Sequence, residues 1–150
     1  MRWRLAVREW VALIACAGAA ACFSAYGRVQ ELRNDTVSPT RFKSLVVVAG
    51  EDEAGDRQIA TRVGEQLSEN GLTVVRRGGL WDNELSALAE ICPLGQSSAG
   101  VDGVVFVWWN RIALRDCETH KTAYQVQAGY RGVDVMVRHL LGYLRRPSRG

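Results

Sequence analysis

Four carboxylates crowd the seven residues Gly50-Glu51-Asp52-Glu53-Ala54-Gly55-Asp56, directly after an apolar run. Acids so placed could hold a divalent cation or line a small-ligand loop, because open parallel sheets take ligands beyond the carboxyl ends of their strands. A phosphate cradle is excluded, since the carboxylates would repel phosphate and no GxGxxG is present. A cation site of this kind also needs an acceptor aspartate at the end of the third strand. Trp108-Trp109-Asn110 stand there instead. The plainer reading is that Asp52 or Asp56 caps the following helix while the other acids favour its positive end. We expect neither metal nor cofactor, and keep Glu51, Asp52, Glu53 and Asp56 as a candidate ligand loop.

Cys117-Glu118-Thr119-His120 offers a thiol and an imidazole at C-x-x-H spacing. A zinc site needs about four ligands. The other histidine is His139, and no second cysteine pair exists, so no metal site is expected. A polar hairpin tip offers a cysteine nucleophile no substrate pocket. No nucleophile, base and orienting group converge in the sequence, so no catalytic residue is expected and enzyme activity ranks last.

A disulfide between Cys92 and Cys117 is chemically open if the chain is exported, and could contribute ~3 kcal/mol. Geometry pulls the other way. Twelve extended residues after the start of the third strand would span roughly 40 Å. Only a sharp bend at Asn110-Arg111 would restore the ~6 Å Cα separation that a bridge needs. Trp108 and Trp109, adjacent in a strand, should point to opposite faces. Both are buried if helices cover both faces; a bare face would make one of them a partner-binding anchor.

Arg2, Arg4 and Arg8 precede an uncharged run from Trp10 to Tyr26, which is how an export signal or short membrane anchor reads. The run is near the ~17-residue lower limit for a spanning helix. Seven of its residues are alanine and one is glycine, so it fits a signal core better than a permanent span. It also contains Ala19-Ala20-Ala21-Cys22, which resembles the lipobox of bacterial lipoproteins. That resemblance implies lipidation at Cys22. Cys16 is the poorer candidate, because Arg8 and Glu9 lie in the stretch that should be uncharged. Lipidation, a retained anchor and simple cleavage stay open, and all three export the rest of the chain. Residues 1–26 are therefore expected to be a leader or anchor, 27–40 a tether, 41–146 a globular domain and 147–150 a tail.

Without the leader about 125 residues remain, enough for one domain with a real core. The net charge of +3 comes largely from the two ends, Arg2, Arg4 and Arg8 at one and Arg138, Arg145, Arg146 and Arg149 at the other. The body is close to neutral. A nucleic-acid binder usually carries a basic face through its folded body, so no nucleic-acid partner is expected.

The elements follow from periodicity. Leu45 to Ala49 is a continuous apolar run, the pattern of a strand buried on both faces. An amphipathic helix follows, with Ile59, Val63 and Leu67 on one stripe and Asn70-Gly71 as its stop. Leu72 to Val75 reads as a second strand. A second helix is predicted over 82–91, with Leu85, Leu88 and Ile91 facing inward and Pro93 beyond its end. Val104 to Trp109 is the strongest strand and continues into Ile112 to Arg115. A polar turn at 116–121 leads to a strand at 123–127. Val133, Met136, Val137, Leu140, Leu141 and Leu144 form the stripe of a last helix. The order β-α-β-α-β-β-α implies an α/β fold with a mixed sheet and helices packed on it.

The order and the phrases GEQLSENGLTVV, VDGVVFV and LRDCETHKTAYQV resemble small envelope α/β domains. These are the domains of the curli-secretion lipoproteins and of the amino end of the Tol–Pal propeller protein. Asn70-Gly71, Val101-Asp102-Gly103 and the turn residues Asp116, Thr119 and Lys121 carry the resemblance, over roughly residues 44–144. His120 departs from it, standing where the pattern has glycine. The resemblance implies an assembly or binding module without catalytic residues, and it does not imply pore formation. The expected function is contact with an envelope protein by a domain tethered through its N-terminus and facing the periplasm. Small-ligand binding at the acidic loop is the alternative. Intact mass of membrane-extracted protein should give a lipid-modified chain beginning at Cys22. An intact Met1 terminus would make the protein a single-pass anchor instead.

Overall fold

The computed structural model describes residues 28–51, 54–76, 83–93, 100–129 and 132–147. Its organising elements are the apolar runs. Leu45, Val46, Val47 and Val48 lie in strand β2 (Ser44–Ala49), and all are at most 3% exposed. Because side chains alternate along a strand, Leu45 and Val47 enter one core while Val46 and Val48 enter another. Strand β4 (Gly103–Trp108) does the same, with Val105 and Val107 on one side and Val104, Phe106 and Trp108 on the other.

Six strands form one mixed sheet. Strands β1 (Gln30–Arg33), β3 (Thr73–Arg76), β5 (Arg111–Asp116) and β6 (Thr122–Gln127) complete it in the order β1-β6-β5-β4-β2-β3. Strand β2 pairs in parallel with both β3 and β4, and the remaining pairs are antiparallel. Helix α1 (Ala54–Glu69) links β2 to β3. Helix α2 (Glu84–Ile91) then links β3 back across β2 to β4. Two right-handed crossovers that travel in opposite directions must lie on opposite faces. So α1 and the last helix, α3 (Val133–Leu144), cover one face, and α2 covers the other. The domain is α/β in three layers.

The helices form for local reasons. In α1, Ala60, Val63 and Leu67 make the buried stripe, and Gly71 ends it at φ +86°, with Leu72 N–H returning to the Leu67 carbonyl at 3.3 Å. That backbone conformation is open to glycine at little cost. In α2, Asn83 Oδ1 accepts from Ser86 N–H at 3.0 Å, a helix cap. In α3, Met136, Val137, Leu140 and Tyr143 are buried, and Asp134 in its first turn is held by Arg62 and Gln66 of α1 at 2.7 and 2.8 Å.

Four expectations are corrected. The element order is β-β-α-β-α-β-β-β-α, not β-α-β-α-β-β-α. The apolar run expected as one long strand turns back at Trp109-Asn110, so that Trp108 pairs with Arg111 and Gly103 with Asp116. Part of the segment expected as a tether is β1, paired to β6, and Val37 and Phe42 behind it are core residues. Leu85 is 62% exposed. The inward face of α2 is instead Ala87, Leu88 and Ile91, because Glu84 turns toward arginines of the sheet. The predicted start of that helix at Asp82 lies outside the described residues, as do Cys22 and the whole leader. Among the described residues no helix is long and apolar enough to cross a membrane.

The Val101-Asp102-Gly103 phrase has a structural cause. Asp102 Oδ2 accepts from the N–H groups of Lys43 and Ser44, both at 2.8 Å, which fixes the start of β2 beside β4. A Cβ on Gly103 would lie 2.9 Å from the Arg115 carbonyl oxygen and 2.9 Å from the Phe42 ring. Gly103→Ala should therefore lower stability by about 1–3 kcal/mol, the range of overpacking. Chemical denaturation reads this; an unchanged midpoint would refute the close approach.

Candidate functional site

In an open α/β sheet the ligand crevice lies outside the carboxyl ends of the parallel strands, where successive crossovers diverge. Here the crossovers diverge after β2 and β3, whose exits include 52–53 and 77–82 and so lie largely outside the described residues; beside them β2 and β4 end at Gly50 and Trp108. At the ends of β2 and β4 the chain packs on itself. A Cβ on Gly50 would meet the Trp108 indole at 2.1–2.3 Å, so the ring lies flush on the Gly50 backbone. Trp108 is 8% exposed, stacks near Phe106 with centroids 6.1 Å apart, and carries the Arg111 guanidinium 3.7 Å from its centroid. Such a cation over an indole face is attracted by the ring quadrupole.

Arg111 is in turn 3.7 Å from Glu84 Oε1. The other oxygen of Glu84 accepts from Arg115 Nε and Nη2 at 2.9 and 2.6 Å. Glu84 therefore ties the N-terminus of α2 to two arginines of β5. Neither Glu84 nor these arginines stood out in the sequence. The available signal was the i, i+4 spacing of Arg111 and Arg115 on one strand face, with an acid opening a helix.

Trp109 lies elsewhere from its neighbour. It occupies the tight turn between β4 and β5 and is 58% exposed. The two rings thus differ because Trp109 has left the strand, not because one sheet face is bare. Of the acidic loop, Glu51 is exposed and Asp56 is 3% exposed in the first turn of α1. Asp52 and Glu53 lie outside the described residues. Of the two described members, Glu51 is thus exposed and Asp56 buried.

At the opposite end of the sheet, Cys92 and Cys117 are joined as a disulfide with Cα atoms 5.5 Å apart. The reversal at Trp109-Asn110 brings the end of β5 back beside the end of α2, which removes the 40 Å separation expected from one extended strand. The turn after β5 is held from within. Asp116 is fully buried, and its Oδ2 accepts from Thr119 N–H at 3.0 Å and Thr119 Oγ1–H at 2.6 Å. Its Oδ1 faces the Arg41 guanidinium at 3.4 Å without a hydrogen bond. His120 adopts φ +57°, the conformation for which glycine is usual. Its Nε2–H donates to the Cys92 carbonyl at 2.6 Å. Thiol and imidazole of the C-x-x-H pair are both committed to holding α2 against the hairpin.

A third polar centre joins the sheet edge to α3. Glu31 Oε1 accepts from Tyr124 O–H at 2.5 Å and from His139 Nδ1–H at 2.7 Å, and Oε2 pairs with Arg33. Burial works to raise the Glu31 pKa, but the hydrogen bonds from Tyr124, His139 and Arg33 outweigh it and hold the carboxyl below its ordinary range. Burial, with the Glu31 carboxylate second, pushes the Tyr124 hydroxyl well above its ordinary value. Burial also raises the Tyr143 hydroxyl, with Asp35 and Asp116 adding to it. Tyr124 and Tyr143 stack with centroids 4.7 Å apart. Among the described residues no group of three or more potential ligands is placed to hold a metal ion. Comparison with protein-family models and with curated proteins finds no match to the chain.

Two outcomes follow from these contacts. A depressed carboxyl stabilises the fold above the unfolded pKa, and the contribution disappears as pH falls through the folded value. Glu31 should thus contribute fully at neutral pH and lose its effect as pH drops below its ordinary 4.5. Glu31→Gln should lower the thermal midpoint at pH 7 and flatten the acid limb of the stability profile; an acid limb identical to wild type would sever Glu31 from it. Replacing Cys92 and Cys117 together by alanine should cost about 2–4 kcal/mol. Non-reducing peptide mapping should recover the linked pair, and two free thiols would overturn the bridge.

Proposed function

We propose that this chain is a periplasm-facing domain of the bacterial cell envelope, tethered to the membrane through its N-terminus, that acts by protein–protein contact. The leader pattern and the Ala19-Ala20-Ala21-Cys22 approach support the tether. The exposed tip carries the contact reading. Trp108 is buried against Gly50 at the ends of β2 and β4, while Trp109, directly beside it, is 58% exposed on a tight turn. An exposed tryptophan on a rigid hairpin is the residue type that anchors interfaces, because it buries a large area at low conformational cost.

The turn is well braced. Strand β5 is paired on both sides, and Arg111, the first residue after the turn, is fixed by the Trp108 ring and by Glu84. Preorganisation of this kind raises affinity by reducing the ordering cost of binding. The ligand alternative at Glu51, Asp52, Glu53 and Asp56 gains no specific support from the two described members, since Asp56 is buried in the first turn of α1 and Glu51 is exposed.

A photo-crosslinking phenylalanine analogue at Trp109, in the full chain within its native envelope, tests the reading. We expect a discrete adduct with one envelope protein at that position, and none with the analogue at Glu69 on the exposed side of α1. Equal labelling at both positions, or none at Trp109, would remove the contact proposal. Resistance of the chain to alkaline extraction from membranes reads the tether separately.

A further inference from the structure

The structure also holds a basic cleft that neither the crevice nor the hairpin tip uses. It lies between β1 and α3, has a volume of ≈ 520 Å³, and is lined by Glu31, Arg33, Arg138, His139, Gly142 and Arg146, with two valines. Three arginines and a histidine thus face one carboxylate. That carboxylate is occupied: Tyr124, His139 and Arg33 all bond to Glu31. Among the described residues Arg138 and Arg146 have no ion pair and no side-chain hydrogen bond. Both are exposed, yet both border a concavity.

Gly142 gives the second observation. It stands inside α3, four residues after Arg138 and four before Arg146, which follows the helix end, and all three line the cleft. Glycine weakens a helix interior relative to alanine, so a packing reason is usually sought. None exists here, because a Cβ at Gly142 would have nothing within 4 Å. What the missing side chain leaves is open space on the cleft that Arg138 and Arg146 also line, two guanidinium groups without a partner among the described residues.

We propose that this cleft binds a phosphate group, carried either by an anionic lipid headgroup or by a soluble phosphate compound. Guanidinium groups match phosphate oxygens in a bidentate fork, and the cleft falls within the size range of small-molecule sites. Arg138 and Arg146 supply the free forks. Arg33 adds charge from β1, and His139, positioned by Glu31 through Nδ1, adds a donor when protonated. The two possible sources of phosphate share this chemistry. Val29, at the near end of the described chain, also lines the cleft, so a headgroup beside the point where the leader joins would be within reach.

The test uses the full chain in non-ionic detergent, with the arginine side-chain N–H signals followed by NMR. Inorganic phosphate and short-chain phosphatidylglycerol are titrated separately at low salt. Saturable shifts at Arg138 and Arg146 are expected with at least one of them. Inorganic phosphate as the stronger ligand identifies a soluble phosphate, and phosphatidylglycerol as the stronger ligand identifies a headgroup. Arg138→Gln with Arg146→Gln should weaken binding at least tenfold, at roughly fivefold per basic residue. Gly142→Leu should abolish it by filling the cleft without lowering the thermal midpoint, since leucine favours the helix more than glycine does. No saturable shift with either probe, or equal binding by the double variant, would overturn the proposal. Neither result touches the crosslink at Trp109 or the membrane extraction, so the two readings fail separately.

Discussion

Every residue of β4 is buried, and the rest of the architecture answers that constraint. A strand with apolar side chains on both faces has to be covered twice. One cover is generous, with α1 and α3 packed side by side. The other is α2, only eight residues long, too short to be stable as an isolated helix. It is held because both ends are fastened to β5. Glu84 binds Arg115 and approaches Arg111 at one end, and Cys92 is bonded to Cys117 at the other. Between them Ala87, Leu88 and Ile91 seal the second core.

The same fastening shapes the far end of the sheet. Arg111 is held by Glu84 and lies over Trp108, and Trp108 rests on Gly50. The cover of the core and the packing of Trp108 are therefore one continuous set of contacts, from the helix N-terminus to the end of β2. Losing the acid at the helix start would loosen the tryptophan several residues away. This coupling explains why Glu84 displaces Leu85 from the inward face of α2: two arginines on an otherwise apolar sheet face need a carboxylate more than the core needs another leucine.

Much of this was legible in the sequence, and the reasons differ by element. Strands β2 and β4 and helices α1 and α3 announce themselves because periodicity and burial agree over many residues. The β4–β5 turn does not, since Val104 to Leu114 is nearly all apolar and Trp109-Asn110 lacks the glycine that usually marks a tight hairpin. Strand β1 is silent for another reason. Gln30-Glu31-Leu32-Arg33 has no apolar alternation, and it is held by backbone pairing to β6 and by bonds from Glu31 to residues 93 and 108 positions away. The same distance hid the basic cleft. In the sequence Arg138 and Arg146 are only part of the positive charge near the C-terminus, and the fold brings them alongside Arg33.

Strand β1 also sets how far the domain can travel. As a free connector, residues 27–40 would have spanned about 45 Å when extended. With Gln30 already paired into the sheet, about 13 Å of chain separates it from Tyr26, and at most about 28 Å from Cys22. A domain of this size has a radius of gyration near 13 Å, so its leash is no longer than its own width. In a membrane-attached chain the body would ride against the bilayer with little slack. A partner of such an attached chain would have to come to it close to that surface.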